Sequence, residues 1–304
     1  MVEKAMWKPD RVVVGGLGGI GSAYVYMLAR KMSRFKDWPK ELWLVDGDVY
    51  TEKNLDRQQV LESDIGRSKS ETWGKALAME YKNLTVHIRK EYVGPKNIES
   101  FPWERTVFML GFDNHASRKL FSEFSQKYGR NSAIISGGNN LTDGSVLIYI
   151  KVDGVNLTPP LETFHPEIQN PKDKNPAELS CAELAKLEGG EQIIDANATA
   201  AQIMMNELRI FMSGDREKLA KRSEVYFDIE VNASRPVNRF VAEKDLVDKK
   251  EVETKKEEAP KDVKEAKPKS KPKKSKVKVL APVEDAVLLA KPELPVEPEV
   301  NPQG

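Results

Sequence analysis

Cysteine, histidine and long apolar runs are scarce in this sequence, and each scarcity excludes a class of protein. One cysteine, Cys181, and three histidines occur among 304 residues, so the chain can form no intramolecular disulfide and no cysteine-rich zinc site. No run of about 18 apolar residues is present, as a membrane-spanning helix would need, and the N-terminal MVEKAMWKPD lacks the apolar core of a signal peptide. We therefore expect a cytoplasmic protein with no zinc and no membrane partner.

An excess of charge of one sign is also missing. Lysine and arginine number 48 against 47 aspartate and glutamate residues, so the chain as a whole is not a polycation built for nucleic acid. From about Leu246 onward, however, lysine, glutamate and proline dominate and aromatic residues vanish, a composition that cannot bury enough apolar area to fold. We predict a folded domain over residues 1–245 and a disordered tail over 246–304. The basic block at 267–278 could contact nucleic acid or an acidic partner, or be a solvated linker.

What the folded part does contain is a regular alternation of short β-branched runs with longer segments of helical periodicity. This alternation is typical of a parallel sheet with helices on both faces. The predicted strands are RVVVGG, ELWLVD, LTVHIRK, RTVFML, SAIISGG and GSVLIYIKV. We therefore expect an α/β fold with a doubly wound, Rossmann-like and mostly parallel sheet.

The segments around these strands complete the prediction. Apolar residues at helical spacing predict helices over 19–32 and 114–128. Residues 153–178 are rich in proline, asparagine and aspartate and predict a long loop. A further helix is predicted over 197–214, with Asn197 as its N-cap and Gly214 as its stop, and SEVYFDIEVN is then expected to form one more strand.

A glycine-rich loop follows the first predicted strand. In GLGGIGS, the residues Gly16, Gly18, Gly19 and Gly21 allow a tight turn and let backbone N–H groups approach a phosphate at the start of a helix. Asp46 ends the next strand, where an acidic side chain in such folds hydrogen-bonds the ribose hydroxyls. These two features fit an NAD(P)-dependent oxidoreductase as well as an ATP-dependent enzyme.

The polar residues of the stretch 46–69 favour a triphosphate. Hydride transfer has no use for Asn54, Arg57, Gln58 and Lys69 beside the phosphates, whereas attack on an α-phosphate spreads negative charge that positioned cations stabilise. Asp113 follows the fourth strand at the carboxyl edge of the sheet, where a carboxylate can hold Mg²⁺ together with phosphate oxygens and water. The pattern predicts a site for ATP and magnesium.

Four motifs occur in the same order as in a known family. GLGGIGS, DGDVYTEKNLDRQ, DIGRSK and FDNHASR make residues 11 to about 214 similar to the ThiF/MoeB superfamily of ubiquitin-activating-type adenylyltransferases. The resemblance implies ATP- and Mg²⁺-dependent adenylation of a carboxylate, the C-terminal glycine of a small ubiquitin-like or sulfur-carrier protein, by a homodimer.

The resemblance also assigns roles to individual residues. It implies that the loop glycines, Asp46 and Asp48 hold the nucleotide, and that Asn54 and Gln58 engage the triphosphate. Arg57 and Lys69 also engage the triphosphate and are assigned to catalysis together with Asp113, the implied magnesium ligand. Taken singly, these residues have simpler explanations: Asp48 could cap a turn, Arg57 and Lys69 could be exposed helix charges, and Arg118 could pair with a carboxylate.

We do not expect two features of the family here, because only about ten residues precede the first predicted strand and Cys181 is the one cysteine. Many members carry an arginine-bearing N-terminal helix that reaches a dimer mate, and MoeB-like members carry paired CxxC zinc motifs. The stretch ELSCAELA resembles a segment of the MoeB-like enzymes, which makes Cys181 the one candidate for a thioester or persulfide nucleophile. A lone cysteine before a helix more often serves packing than chemistry. A catalytically silent adaptor with the same fold therefore remains an alternative, as does the oxidoreductase.

Overall fold

The structure, a computed structural model, describes residues 6–184 and 192–239. The tail predicted over 246–304 therefore lies outside the described residues. The strands are β1 (Arg11–Gly15), β2 (Glu41–Val45), β3 (Thr85–Arg89), β4 (Thr106–Leu110), β5 (Ser132–Asn139), β6 (Asp143–Val152), β7 (Val155–Asn156), β8 (Glu224–Asp228) and β9 (Ala233–Val237). The α-helices are α1 (Gly19–Arg34), α2 (Lys69–Glu80), α3 (His115–Tyr128), α4 (Pro166–Gln169), α5 (Cys181–Leu184), α6 (Ile194–Met212) and α7 (Arg216–Ala220).

The strands form one sheet in the order β3-β2-β1-β4-β5-β6-β8-β9, with β7 paired to β6. Strands β3, β2, β1, β4 and β5 are parallel to one another, and the strands from β6 onward are added antiparallel. All the strands predicted between residues 11 and 152 are present, and the predicted doubly wound α/β fold is confirmed. Because β1 lies between β2 and β4, the order of the strands reverses beside β1, and such a switch point opens a crevice at the carboxyl ends of the strands.

Helices cover both faces of the sheet, and a separate core fills each side. Val12 and Val14 point to the side where α1, α2 and α6 pack, and Val13 points to the opposite side, where it joins Phe108 and Phe121 of β4 and α3. These residues are fully buried, as the period of two along a strand requires when both faces are covered. A ligand can therefore reach the sheet only at its edges and at the ends of its strands.

The C-terminal part of the domain departs from the sequence prediction in two places. Helix α6 begins at Ile194, so Asn197 lies in its first turn with its side chain fully buried. The prediction that Asn197 is the N-cap was therefore wrong, because contacts with distant segments hold this side chain. Gly214 does end the helical region, with φ +74°. The predicted strand 223–232 stops at Asp228, and a turn leads into the unpredicted strand β9. None of the described helices is long and apolar enough to cross a bilayer.

Candidate functional site

A cleft of about 1590 Å³ opens at the switch point of the sheet. Its walls come from the loops that follow β1, β2, β3 and β4, from the β5–β6 hairpin and β8, and from the long segment between β6 and α6. Most of the residues predicted to bind nucleotide or metal line it: Gly16, Gly18, Gly19, Asp46, Asp48, Asn54, Arg57, Gln58, Lys69 and Asp113. Segments that are far apart along the chain therefore present polar groups to one space.

The glycine loop is shaped by close backbone packing. Gly16 has φ +82°, and a Cβ placed there would lie 2.9 Å from the carbonyl oxygen of Gly111. Gly21 is not among the residues that line the cleft; a Cβ at Gly21 would lie 2.0 Å from the carbonyl oxygen of Gly16. Glycine at both positions lets helix α1 start directly against the loop that lines the cleft, and the start of a helix is a favourable place for an anion.

Asp46 connects the glycine loop to the end of β2. Its carboxylate accepts hydrogen bonds from the backbone N–H groups of Leu17 at 2.6 Å and Asp48 at 2.8 Å. Burial raises the pKa of Asp46 to about 6, against the opposing effect of the Lys69 ammonium group. Each carboxylate oxygen keeps a second acceptor position, so the same side chain can hold the loop and remain available to a ribose.

Lys69 is not an exposed helix charge. It is the first residue of α2, only 5% exposed, and its Nζ lies 3.0 Å from Oδ2 of Asp48. The other oxygen of Asp48 accepts a hydrogen bond from the hydroxyl of Tyr92, and burial together with this bond raises the pKa of Tyr92. Tyr92 also lines the cleft. Nothing in the sequence near residue 92 marks this tyrosine as a site residue, because only folding brings it to Asp48.

The loop after β2 presents three polar side chains in different environments. Asn54 is buried and its Oδ1 accepts a hydrogen bond from the N–H of Thr51 at 3.0 Å, which closes the turn at residues 52–54. Gln58 is buried in the cleft wall, and its Oε1 has no hydrogen-bond partner among the described residues. Arg57 is half-buried, and its guanidinium makes no ion pair or hydrogen bond with a described residue. Among the described residues, the guanidinium of Arg57 and the buried Oε1 of Gln58 thus have no hydrogen-bond partner.

Asp113 precedes α3 and Arg118 lies in its first turn, and the two side chains differ sharply in exposure. Asp113 is exposed at the carboxyl end of β4, and its carboxylate accepts a hydrogen bond from Nδ2 of Asn114 at 3.4 Å. Arg118 is buried and donates to the carbonyl oxygens of Phe112 and Gly137, not to a carboxylate. Burial lowers the pKa of Arg118, although Asp113 favours its charged form. Asp113 is therefore accessible to a metal ion, and Arg118 adds positive charge behind it.

The long segment between β6 and α6 closes one side of the cleft. Asp173 accepts hydrogen bonds from the N–H groups of His115 at 2.7 Å and Ala116 at 3.0 Å, the first two residues of α3. Asn175 donates to the carbonyl of Val93 at 3.0 Å. These bonds hold residues 173–175 against the loops that follow β3 and β4. No local sequence pattern marks Asp173 or Asn175 as residues of the site.

The same segment is also attached through His165. Its ring nitrogens lie 2.8 Å from a carboxylate oxygen of Glu167 and 3.2 Å from one of Glu224, a buried residue at the start of β8. Burial of the imidazole opposes protonation, but the hydrogen bonds to Glu224 and Glu167 outweigh this effect and raise the pKa of His165. The carboxylates of Glu167 and Glu224 therefore flank the imidazole of His165 and favour its charged form.

This arrangement predicts a stability that depends on pH. Because the pKa of His165 is higher in the folded chain than in the unfolded chain, its contribution is fully present below the usual histidine value of about 6.5 and is lost as the pH rises through the raised value. Replacing His165 by glutamine should lower the free energy of unfolding by about 1.5–3 kcal/mol at pH 6, as for hydrogen bonds to charged groups, and by less at pH 9. Urea unfolding of both proteins across this range measures the difference. A penalty that stays constant with pH would contradict the assignment.

Cys181 is the first residue of α5, and its side chain lies outside the described residues. The proposed thioester or persulfide role is therefore untested. Within residues 6–184 and 192–239, no group of three or more histidine, cysteine, aspartate or glutamate side chains is arranged to hold a metal ion. Asp113 would still suffice for Mg²⁺, which usually takes one or two protein carboxylates and completes its shell with phosphate oxygens and water.

Comparisons with known proteins agree with this architecture. The family model described as "ThiF family" matches residues 4–245. Among solved structures, E. coli MccB with ATP aligns with a TM-score of 0.57 and 17% identity over 76% of this chain and 64% of its own. PaaA aligns with a TM-score of 0.56 and 18% identity over 77% and 65%. The chain thus spans less than two thirds of the length of these structures, and identities this low show a shared fold alone. No curated protein matched the sequence.

Proposed function

The chain belongs to the ThiF family, and from this premise we propose that it is an adenylyltransferase that joins the AMP part of ATP to a carboxylate. The observation that carries the proposal is the cleft at the switch point. It brings the glycine loop, the partly unpaired groups of Arg57 and Gln58, the buried Lys69 and the exposed Asp113 to one space. An oxidoreductase would need the glycine loop and Asp46 but not this set of cations and amides.

The proposed reaction divides its tasks among these residues. The substrate carboxylate attacks the α-phosphorus, the bond to the bridging oxygen breaks, and pyrophosphate leaves with that oxygen. Charge that builds on the phosphoryl oxygens is stabilised by Arg57 and Lys69, which the fold places before the reaction starts. Asp113 would hold Mg²⁺, which when bound neutralises phosphate charge. No protein nucleophile is needed for this step, so Cys181 would enter only if the acyl group moves on to a thiol.

The proposed acceptor is the terminal carboxylate of a small protein or peptide. One related fold, the microcin C7 biosynthetic enzyme MccB, has been solved in complex with N-formylated MccA, which supports a peptide-sized partner for the present cleft. A volume of about 1590 Å³ exceeds the roughly 300–1,000 Å³ that a small ligand usually occupies, so it leaves room for a peptide end beside a nucleotide. We retain a ubiquitin-like or sulfur-carrier protein ending in glycine as the specific proposal, with a homodimer as the active form.

Nucleotide binding and pyrophosphate exchange test the proposal. We expect calorimetry to show ATP binding that strengthens with Mg²⁺, and no binding of NADH. With a cognate carboxylate partner, labelled pyrophosphate should be incorporated into ATP. Tight NADH binding without ATP binding would replace the proposal by an oxidoreductase. ATP binding without exchange in the presence of a partner that the chain binds would identify a silent adaptor.

A further inference from the structure

Asn197 occupies an unusual place for an amide side chain. It lies in the first turn of α6 with no exposed surface, and its amide rests directly on Gly19, where an added Cβ would lie 2.2 Å from Nδ2. Nδ2 donates a hydrogen bond to the main-chain carbonyl of Arg57 at 3.3 Å. A single side chain thus touches both the glycine loop and the segment that carries the cleft arginine.

The oxygen of the Asn197 amide lacks a hydrogen-bond partner in the described part of the chain. Oδ1 of Asn197 is buried and has no hydrogen-bond partner among the described residues. A buried acceptor without a partner is less favourable than an apolar group of the same shape. The stability of α6 alone therefore does not explain asparagine at this position, whereas the bond to Arg57 does.

The position of Arg57 depends on a small number of backbone attachments. Two residues after Arg57, the N–H of Gln59 donates to Oγ of Ser22 at 3.2 Å. Before Arg57, the side chain of Asn54 closes the turn at residues 52–54. The guanidinium of Arg57 reaches the cleft without a described partner. Since no described side chain holds the guanidinium, its location follows from where the main chain of Arg57 is held.

We propose that Asn197 is a positioning residue that holds the Arg57 segment against the glycine loop, so that the guanidinium meets the triphosphate. This inference rests on the proposed function, because it assigns Arg57 to ATP. In this proposal Asn197 does not contact the nucleotide. The effect of Asn197 on ATP must therefore act through Arg57, which makes it testable by coupling between the two residues.

The first measurement compares Asn197→Ala with Asn206→Ala. Asn206 is on the same helix, half-buried, and bonds only locally to Arg209 among the described residues. We expect Asn197→Ala to weaken ATP binding and raise the KM for ATP by about tenfold, since small misplacements of a charged group have effects of this order or larger. Asn206→Ala should leave both the ATP affinity and the KM unchanged.

The variant Asn197→Leu keeps the side-chain shape without the donor, and should show the same loss of ATP affinity at an unchanged melting temperature.

A double-mutant cycle with Arg57→Ala decides the proposal. In the Arg57→Ala protein, adding Asn197→Ala should change ATP affinity by less than about twofold, because the group that Asn197 positions is gone. Additive effects would overturn the inference while leaving the proposed function intact, provided that wild type binds ATP. Failure of the wild type to bind ATP would overturn the proposed function and this inference with it.

Hydrogen exchange of the unliganded protein gives a separate check. Asn197→Ala should increase exchange in residues 52–59, and unchanged exchange there would also count against the proposal.

Discussion

Asp113→Asn is expected to reduce Mg²⁺-dependent pyrophosphate exchange by about 10²–10³-fold, the range found when a single group that stabilises developing charge is removed. The carboxylate is exposed at the carboxyl end of β4, and its one hydrogen bond to a described residue comes from the neighbouring amide of Asn114. The change should therefore remove a metal ligand without disturbing the core. Exchange rates measured over a range of Mg²⁺ concentrations should also show a weaker dependence on the metal in the variant.

The matched control for this change is Asp10→Asn. Asp10 lies just before β1, at the opposite end of the sheet, and is paired with Arg105 at the surface. Replacing Asp10 by asparagine removes the same charge, but at the amino ends of the strands, where ligands do not bind in such folds. Exchange should be preserved in Asp10→Asn. An Asp113→Asn protein that melts normally and keeps wild-type exchange would show that Asp113 is not the magnesium ligand.

Lys69→Met is expected to lower kcat for adenylate formation by about 10²-fold, because a preorganised cation acts on charge that develops in the transition state. Methionine keeps much of the apolar stem of the buried lysine. The Asp48 carboxylate that loses its partner is about half exposed, with a side-chain accessibility of 46%, so water can solvate it and the domain should stay folded. Pre-steady-state release of pyrophosphate gives the rate, and thermal melting reports on folding.

Lys75→Met is the control for Lys69. Both lysines are on α2 and both pair with a carboxylate, but Lys75 is exposed and bonds to Glu71 one turn away on the same helix. Surface pairs of this kind contribute little to stability, so Lys75→Met should match wild type in rate and in melting temperature. Equal rates for Lys69→Met and wild type would reduce Lys69 to a structural residue that holds Asp48 and the start of α2.

The local signals of the sequence were sufficient to predict the sheet and the general location of the site. Alternating β-branched runs predicted β1 through β6, and the carboxyl ends of parallel strands must meet at one edge of a sheet. This geometry explains why the sequence predicts the glycine loop, Asp46 and Asp113 at one site. The strand β9 was missed because the apolar alternation of β8 continues into the turn that separates the two strands.

The environment of each side chain was decided only by the tertiary structure. Sequence spacing does not distinguish an exposed lysine from Lys69, which is buried because α2 starts beside Asp48. Asn197 has the local features of an N-cap, yet its side chain binds the carbonyl of Arg57, 140 residues away along the chain. Asp173 and Tyr92 belong to the site only because distant loops meet over the cleft. Period and motif order are properties of neighbouring residues and are visible in the sequence, whereas burial and hydrogen-bond partners depend on which distant segments the fold brings into contact.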